Sequence, residues 1–250
     1  MIAKLKSIER ALKLLECFTV DEPELGVTQI SKKLNMHKST VFNIIDTFES
    51  CGYLAKNAIT GKYKLGLKIL QISYNMYSTQ DTRKVLNPYL KEIADKTEET
   101  VYLGLLCEDE VIYIDAIHSA KNSRMNTNMI GIKAPVYCTA IGKAMLSEMT
   151  DEEVSRIISK PLVRFTPNTI TDMSIFREDL DNIRKRGFSI DDMEHEYGIK
   201  CVGIALNSIS GQQIAAVSIS GPSLRFNNAE IEEYARILKD LKSKVSKLIM

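Results

Sequence analysis

Ile8, Ala11, Leu12, Leu15 and Phe18 recur at three- and four-residue intervals, so the spacing predicts an amphipathic helix over residues 7–19. A loop containing Pro23 follows. Ile30 and Leu34 then sit i,i+4 on one face of a short helix that Thr28 is placed to cap, and Asn35 and Met36 make a turn. Val41, Ile44, Ile45 and Phe48 fall at i, i+3, i+4 and i+7, the buried stripe of a second helix, and Gly52 ends it as a left-handed cap. Two extended runs, 53–56 and 62–65, are joined by a turn at Thr60 and Gly61. Helix, turn, helix and hairpin in this order form the pattern of a winged helix-turn-helix.

Residues 67–79 carry Leu67, Leu70, Tyr74 and Tyr77 in helical register, and a second helix is expected near 82–97. The period then changes. Residues 100–107 and 110–117 are strand-like, rich in β-branched residues and Tyr, with an acidic turn between them. Residues 118–137 read as irregular. Helices are predicted at 139–149, where Thr139 is a cap, at 152–159, and at 174–186, which Gly187 closes. Strands at 201–208 and 213–220 make a hairpin about Ser210 and Gly211. A terminal helix over 228–248 presents Ile231, Tyr234, Ala235, Leu238, Leu241, Val245 and Leu248 on one side, as a core stripe. An antiparallel sheet flanked by helices is an α+β architecture. The expected organisation is a winged helix-turn-helix at 1–66, a linker helix at 67–80 and a larger domain at 81–250.

Composition changes this picture little. Hydrophobic residues make up 44% and charged residues 26% of the 250, ordinary for a globular protein of two domains. No apolar run approaches membrane-spanning length, and the start of the chain reads as an amphipathic helix rather than a signal peptide, so a cytoplasmic protein without membrane contact is expected. Cys17, Cys51, Cys107, Cys138 and Cys201 are scattered, with no CxxC pair, which points to reduced thiols. Charge is more telling once the chain is split. Residues 1–78 hold 11 Lys and Arg against 7 Asp and Glu, a net of +4; the remainder holds 22 against 25, a net of −3. A basic first module fits contact with phosphate, and its modest charge calls for dimerisation to reach useful affinity.

The second helix of the first module turns Ser39, Thr40, Asn43 and Thr47 outward, with Lys38 at its start. Such a face fits a major groove, where Asn reads adenine. With Thr28 on the preceding helix and Lys62 and Lys64 on the wing, Thr28, Lys38, Ser39, Thr40, Asn43, Lys62 and Lys64 form the expected contact set for double-stranded operator DNA. In the larger domain, a helix capped by Thr139 presents free N–H groups to an anion, and Ser218 and Ser220 share one face of a strand. Taken alone, Asp191, Asp192, Glu194 and Glu196 read as a solvated acidic turn, His195 as an exposed turn histidine, and Cys138 and Cys201 as small buried apolar groups. An enzyme is disfavoured: no GxSxG, HExxH or P-loop occurs, and Cys138 has no general-base partner in sequence. Cys201, Asp191 and His195 offer a possible zinc set, but without metal-ligand spacing. No cofactor is expected.

Three segments in order resemble the IclR family of bacterial transcriptional regulators over essentially the whole chain: KSTVFNIIDTFESCGYL, PVYCTAIGKAML at 135–146, and DDMEHEYGIKCVGIAL at 191–206 with AVSISGPSLRF at 216–226. Within that family, LGLLCEDEVIYID, PVYCTAIGK and SISGPSLRF are most similar to the 2-keto-3-deoxygluconate-responsive repressors. The resemblance implies a GAF-like C-terminal domain that binds a small organic acid, and a homodimer or tetramer on a palindromic operator. Matching the motifs puts Ala140 and Ile141 at the amides that hold a carboxylate, and Asp191, Cys201, Ser218 and Ser220 around the ligand's polar end. It makes Ser123, Asn126 and Ala134 wall positions and Arg124 a potential cation, a polar lining that suits a sugar-acid effector. Asn43 stands where the family often has Arg, so the operator need not match that of relatives. Repression relieved by effector is the expected sign.

Overall fold

The computed structural model describes residues 5–79, 81–119, 129–207 and 213–246, and the chain falls into two compact units, one ending at Thr79 and one starting at Gln80. The first contains α1 (Lys6–Leu15), α2 (Val27–Leu34), α3 (Lys38–Ser50), a hairpin of β1 (Leu54–Lys56) and β2 (Tyr63–Leu65), and α4 (Leu67–Thr79). Its core joins Leu14, Phe18, Leu25, Ile30, Val41, Ile45, Leu54 and Tyr63. The face of α1 is rotated from the predicted stripe. Leu14 and Phe18 are buried, whereas Ile8 and Leu12 are exposed.

Local chemistry sets the ends of these helices. Thr28 does not cap α2. Gly26 is the N-cap, its N–H donates to Gln29 Oε1 at 3.0 Å, and Thr28 is an exposed residue inside the first turn. Asn35, in the left-handed region at φ 49°, turns the chain toward α3. Gly52 does close α3, at φ 80°. The Gly52 N–H donates to Glu49 O at 3.0 Å and the Tyr53 N–H to Phe48 O at 2.8 Å, a Schellman pair. The Phe48 and Tyr53 rings meet with centroids 5.8 Å apart, the apolar contact that accompanies this motif. In the wing Leu54 pairs with Leu65 and Lys56 with Tyr63, and an isolated antiparallel bridge joins Leu25 to Tyr63. Glu24 ties down the wing tip by accepting from Asn57 Nδ2 at 2.7 Å and Thr60 Oγ1 at 3.0 Å.

The second unit contains α5 (Asp81–Thr97), β3 (Thr100–Cys107), β4 (Glu110–Ile117), β5 (Lys133–Pro135), α6 (Ala140–Ser147), α7 (Asp151–Ile157), α8 (Met173–Arg186), β6 (Ser189–Asp192), β7 (Ile199–Asn207), β8 (Gln213–Pro222) and α9 (Asn228–Val245). The six strands form one antiparallel sheet in the order β5-β4-β3-β8-β7-β6. Period-two alternation feeds two cores. Val101, Leu103, Val217 and Ile219 pack with α5 and α9, while Val111, Tyr113 and Ala216 pack with α6 and α8. The α9 stripe is core, as predicted from Ile231 to Val245; Leu248 and the Ser210-Gly211 turn lie outside the described residues. Two strands escaped the sequence reading. β5 sits in the stretch read as irregular, and β6 includes part of the supposed acidic turn.

Candidate functional sites

On α3 the side chains of Lys38, Ser39, Thr40 and Asn43 are all exposed. Among the described residues, none of these four side chains makes an intramolecular hydrogen bond or ion pair. Further along the helix the hydroxyls are already used: Thr47 donates to Asn43 O at 2.9 Å and Ser50 to Thr47 O at 2.8 Å. The hydroxyl and amide groups available to a partner therefore lie in the N-terminal half of α3, and the exposed carboxylates of Asp46 and Glu49 in its second half. Lys62 and Lys64 on the wing are also exposed.

The second unit holds a cavity of about 260 Å³, lined by Thr100, Tyr102, Tyr113, Met129, Thr139, Ala140, Ile141, Asp191, His195, Glu196, Ile199, Cys201, Ser218, Ser220 and Gly221. The start of α6 forms its floor. Two glycines let that helix lie against its neighbours: a Cβ on Gly142 would stand 2.2 Å from Val136 O, and one on Gly203 would stand 2.8 Å from Ala140 O. Ser189 Oγ donates to Ala140 O at 2.6 Å, tying α6 to β6. Thr139 caps the helix by accepting from the Gly142 N–H at 3.2 Å. That leaves the Ala140 and Ile141 N–H groups without an acceptor among the described residues, at the positive end of the helix dipole. Ser218 and Ser220 enter from β8, and Cys201 Sγ donates to Ser220 Oγ at 3.2 Å.

The end of β6 carries Asp191 into the cavity, and the loop after it, tied down at several points, carries His195. Asp191 Oδ1 accepts from the N–H groups of Glu194 at 2.7 Å and His195 at 3.4 Å. Thr166 donates to Met193 O and Thr169 to Glu194 O, both at 2.6 Å. Behind the loop Lys143, 1% exposed, reaches Asp179 Oδ2 at 2.9 Å and also bonds Glu194 Oε1. Burial alone would lower Lys143, yet the two carboxylates hold it above its ordinary value. Burial, reinforced by the nearby Glu194 carboxylate, pushes Asp191 up to about 7, so it carries a proton for part of the time near neutrality. Burial also raises Cys201 and Cys138 and lowers His195, and it lifts Tyr102 to about 12. The cavity thus offers the neutral Cys201 thiol, the Tyr102 and Tyr113 phenols and the His195 imidazole as hydrogen-bonding groups, and no thiolate nucleophile. That is a lining for binding.

The cavity brings together Ala140, Ile141, Asp191, Cys201, Ser218 and Ser220 from the expected set. Ala134 is not on its wall; from β5 it pairs with Val111 of β4 and is buried in the apolar cluster that includes Ile141 and Met145 of α6. Ser123, Arg124 and Asn126 lie outside the described residues. Two expectations are corrected. The acidic segment is not simply solvated, since Asp191 and Glu194 are both 4% exposed. His195 is half-buried on the cavity wall, its ring 5.5 Å from that of Phe165. Sequence reasoning missed Thr100, Tyr102 and Tyr113. Their signal was the strand alternation, which puts Thr100 and Tyr102 on one face of β3. Although Cys201, Asp191 and His195 all line the cavity, no group of three His, Cys, Asp or Glu among the described residues is placed to hold a metal ion.

Residues 7–58 match the IclR helix-turn-helix domain and residues 74–247 the bacterial transcriptional regulator IclR C-terminal domain. The HTH-type transcriptional regulator KdgR of Escherichia coli is 34% identical over 227 residues, which cover 90% of this chain and 86% of that protein. The crystal structure of Thermotoga maritima IclR superposes with a TM-score of 0.72 at 29% identity, covering 98% of each chain. An IclR homologue from Microbacterium hydrocarbonoxydans, solved with 4-hydroxybenzoate, shares the fold at 23% identity with a TM-score of 0.80, covering 96% of this chain and 98% of that one. These are regulators rather than enzymes. With its helix-turn-helix and its C-terminal domain both matched, the chain belongs to the IclR family of bacterial transcriptional regulators.

Proposed function

We propose that the protein is a repressor of sugar-acid or related carbon catabolism, released from its operator by a small hydroxylated organic acid. A DNA-binding domain at 1–66 is joined through 67–80 to an effector domain at 81–250, and dimers or tetramers set paired α3 helices on a palindromic operator in the cytoplasm. Among the described residues no helix is long and apolar enough to cross a membrane. Lys38, Ser39, Thr40 and Asn43 contact bases and phosphates, Lys62 and Lys64 hold the backbone from the wing, and Thr28 lies at the exposed start of α2.

The observation that carries the effector reading is the cavity. Two N–H groups at a helix start face a compact set of Ser218, Ser220, Asp191 and Cys201. The N–H pair takes a carboxylate, and the serines and Asp191 take hydroxyl and keto oxygens. At about 260 Å³ the space suits a small metabolite rather than a drug-sized ligand. The KdgR resemblance directs attention to acids of the 2-keto-3-deoxygluconate kind, and the 4-hydroxybenzoate held by the Microbacterium homologue is also a hydroxylated carboxylic acid. A ligand at 100 times its dissociation constant stabilises the native state by about 2.7 kcal/mol. A thermal-shift panel of 2-keto-3-deoxygluconate, pyruvate, glyoxylate and 4-hydroxybenzoate should therefore give a hit that Ser220→Ala and Asp191→Ala abolish. A hit indifferent to both substitutions would refute the cavity as the site.

A further inference from the structure

Lys38, Ser39, Phe42, Asn43 and Asp46 fall at i, i+1, i+4, i+5 and i+8 of α3, one continuous exposed strip. Phe42 sits in the middle of it and is the one large apolar side chain of α3 left exposed, at 50%. The side chains flanking it on the strip are polar and have no hydrogen-bond partners among the described residues. The Asp46 carboxylate one turn later repels phosphates, so the strip meets a duplex through its first half, where Phe42 and Asn43 are adjacent. The major groove offers one apolar feature that differs between base pairs, the 5-methyl group of thymine, beside the N6/N7 edge of adenine that an Asn side chain reads.

We infer that Phe42 is a specificity-determining residue that reads a thymine 5-methyl group in each operator half-site, next to an adenine read by Asn43. The inference rests on the DNA-binding reading and adds to it a requirement for a methyl group. Burying one methyl-sized group corresponds to about fourfold in affinity per half-site.

The test starts with selection of bound duplexes from a randomised DNA library by the full-length protein. Each thymine of the selected duplex is then replaced by deoxyuridine, which removes the methyl group alone. Affinities are measured for the wild type and for Phe42→Ala, with thermal melting to verify that the variant is folded. The expected result is one thymine per half-site whose replacement weakens wild-type binding about fourfold and leaves Phe42→Ala unaffected. Tolerance of deoxyuridine at every position overturns the inference on wild-type data alone, and so does an unchanged methyl dependence in Phe42→Ala. Both results leave DNA binding intact. Failure to select any sequence overturns the DNA-binding reading and the inference with it.

Discussion

Asp191 has a raised proton affinity because it is buried, with the Glu194 carboxylate close by, and this ties stability to pH. Its folded value of about 7 lies above the ordinary carboxylate value. Below the unfolded value both states are protonated and its contribution is fully present. As pH rises toward the folded value, the unfolded chain releases its proton first and the native state loses stability, on the order of a few kcal/mol by the end of the window. Asp191→Asn keeps an acceptor for the Glu194 N–H and removes the titration. Its melting temperature should rise relative to wild type between pH 5 and about 8; parallel curves would contradict the assignment. Lys143 gives a second prediction. Lys143→Met strands the buried Glu194 carboxylate without its cation, while Asp179, part-exposed, keeps Arg186 at 3.8 Å; the substitution should cost about 3–5 kcal/mol in denaturant melts. Adding Glu194→Gln and Asp179→Asn should recover part of that loss. Neither role was readable from the sequence. The segment containing Asp191 and Glu194 looks solvated because its burial comes from Lys143 on α6 and the threonines at 166 and 169, far away in the chain. Ser218 and Ser220, by contrast, were readable, because alternation within one strand fixes their shared face.

The α6 start joins several of these residues into a site. Gly142→Ala drives a Cβ into Val136 O, so α6 must lift from the loop before it. The expected cost is about 1–3 kcal/mol by chemical denaturation, with loss of acid binding by calorimetry. Thr139→Ala removes the cap, at a cost of about 1 kcal/mol. The element pattern itself was largely written in periodicity: α3, β3, β4 and α9 carry strong apolar stripes or alternation. β6 was hidden because its four residues, SIDD, include two Asp, which strands generally avoid. β5 was hidden by being three residues long, starting just after Gly131 and ending in Pro135. The Thr28 cap failed because Gly26, supported by Gln29, starts the helix two residues earlier.

The two units carry separate cores, the first built on α1 to β2 and the second on both faces of the six-stranded sheet. A fragment comprising residues 80–250 should therefore fold cooperatively and bind the acid effector with the affinity of the full chain; an unfolded fragment, seen by circular dichroism, would contradict independent cores. On the proposed reading, the wing and helix-turn-helix hold the operator and the cavity supplies control, through a difference in effector affinity between DNA-competent and incompetent states. The direct measurement is fluorescence anisotropy of a labelled operator duplex bound to the full-length protein, titrated with 2-keto-3-deoxygluconate and related acids, for wild type and Ser220→Ala. Release of DNA by one acid from the wild type, abolished by Ser220→Ala, is the expected result. Binding that no acid in the panel alters, or release that Ser220→Ala leaves unchanged, would contradict effector control through this cavity.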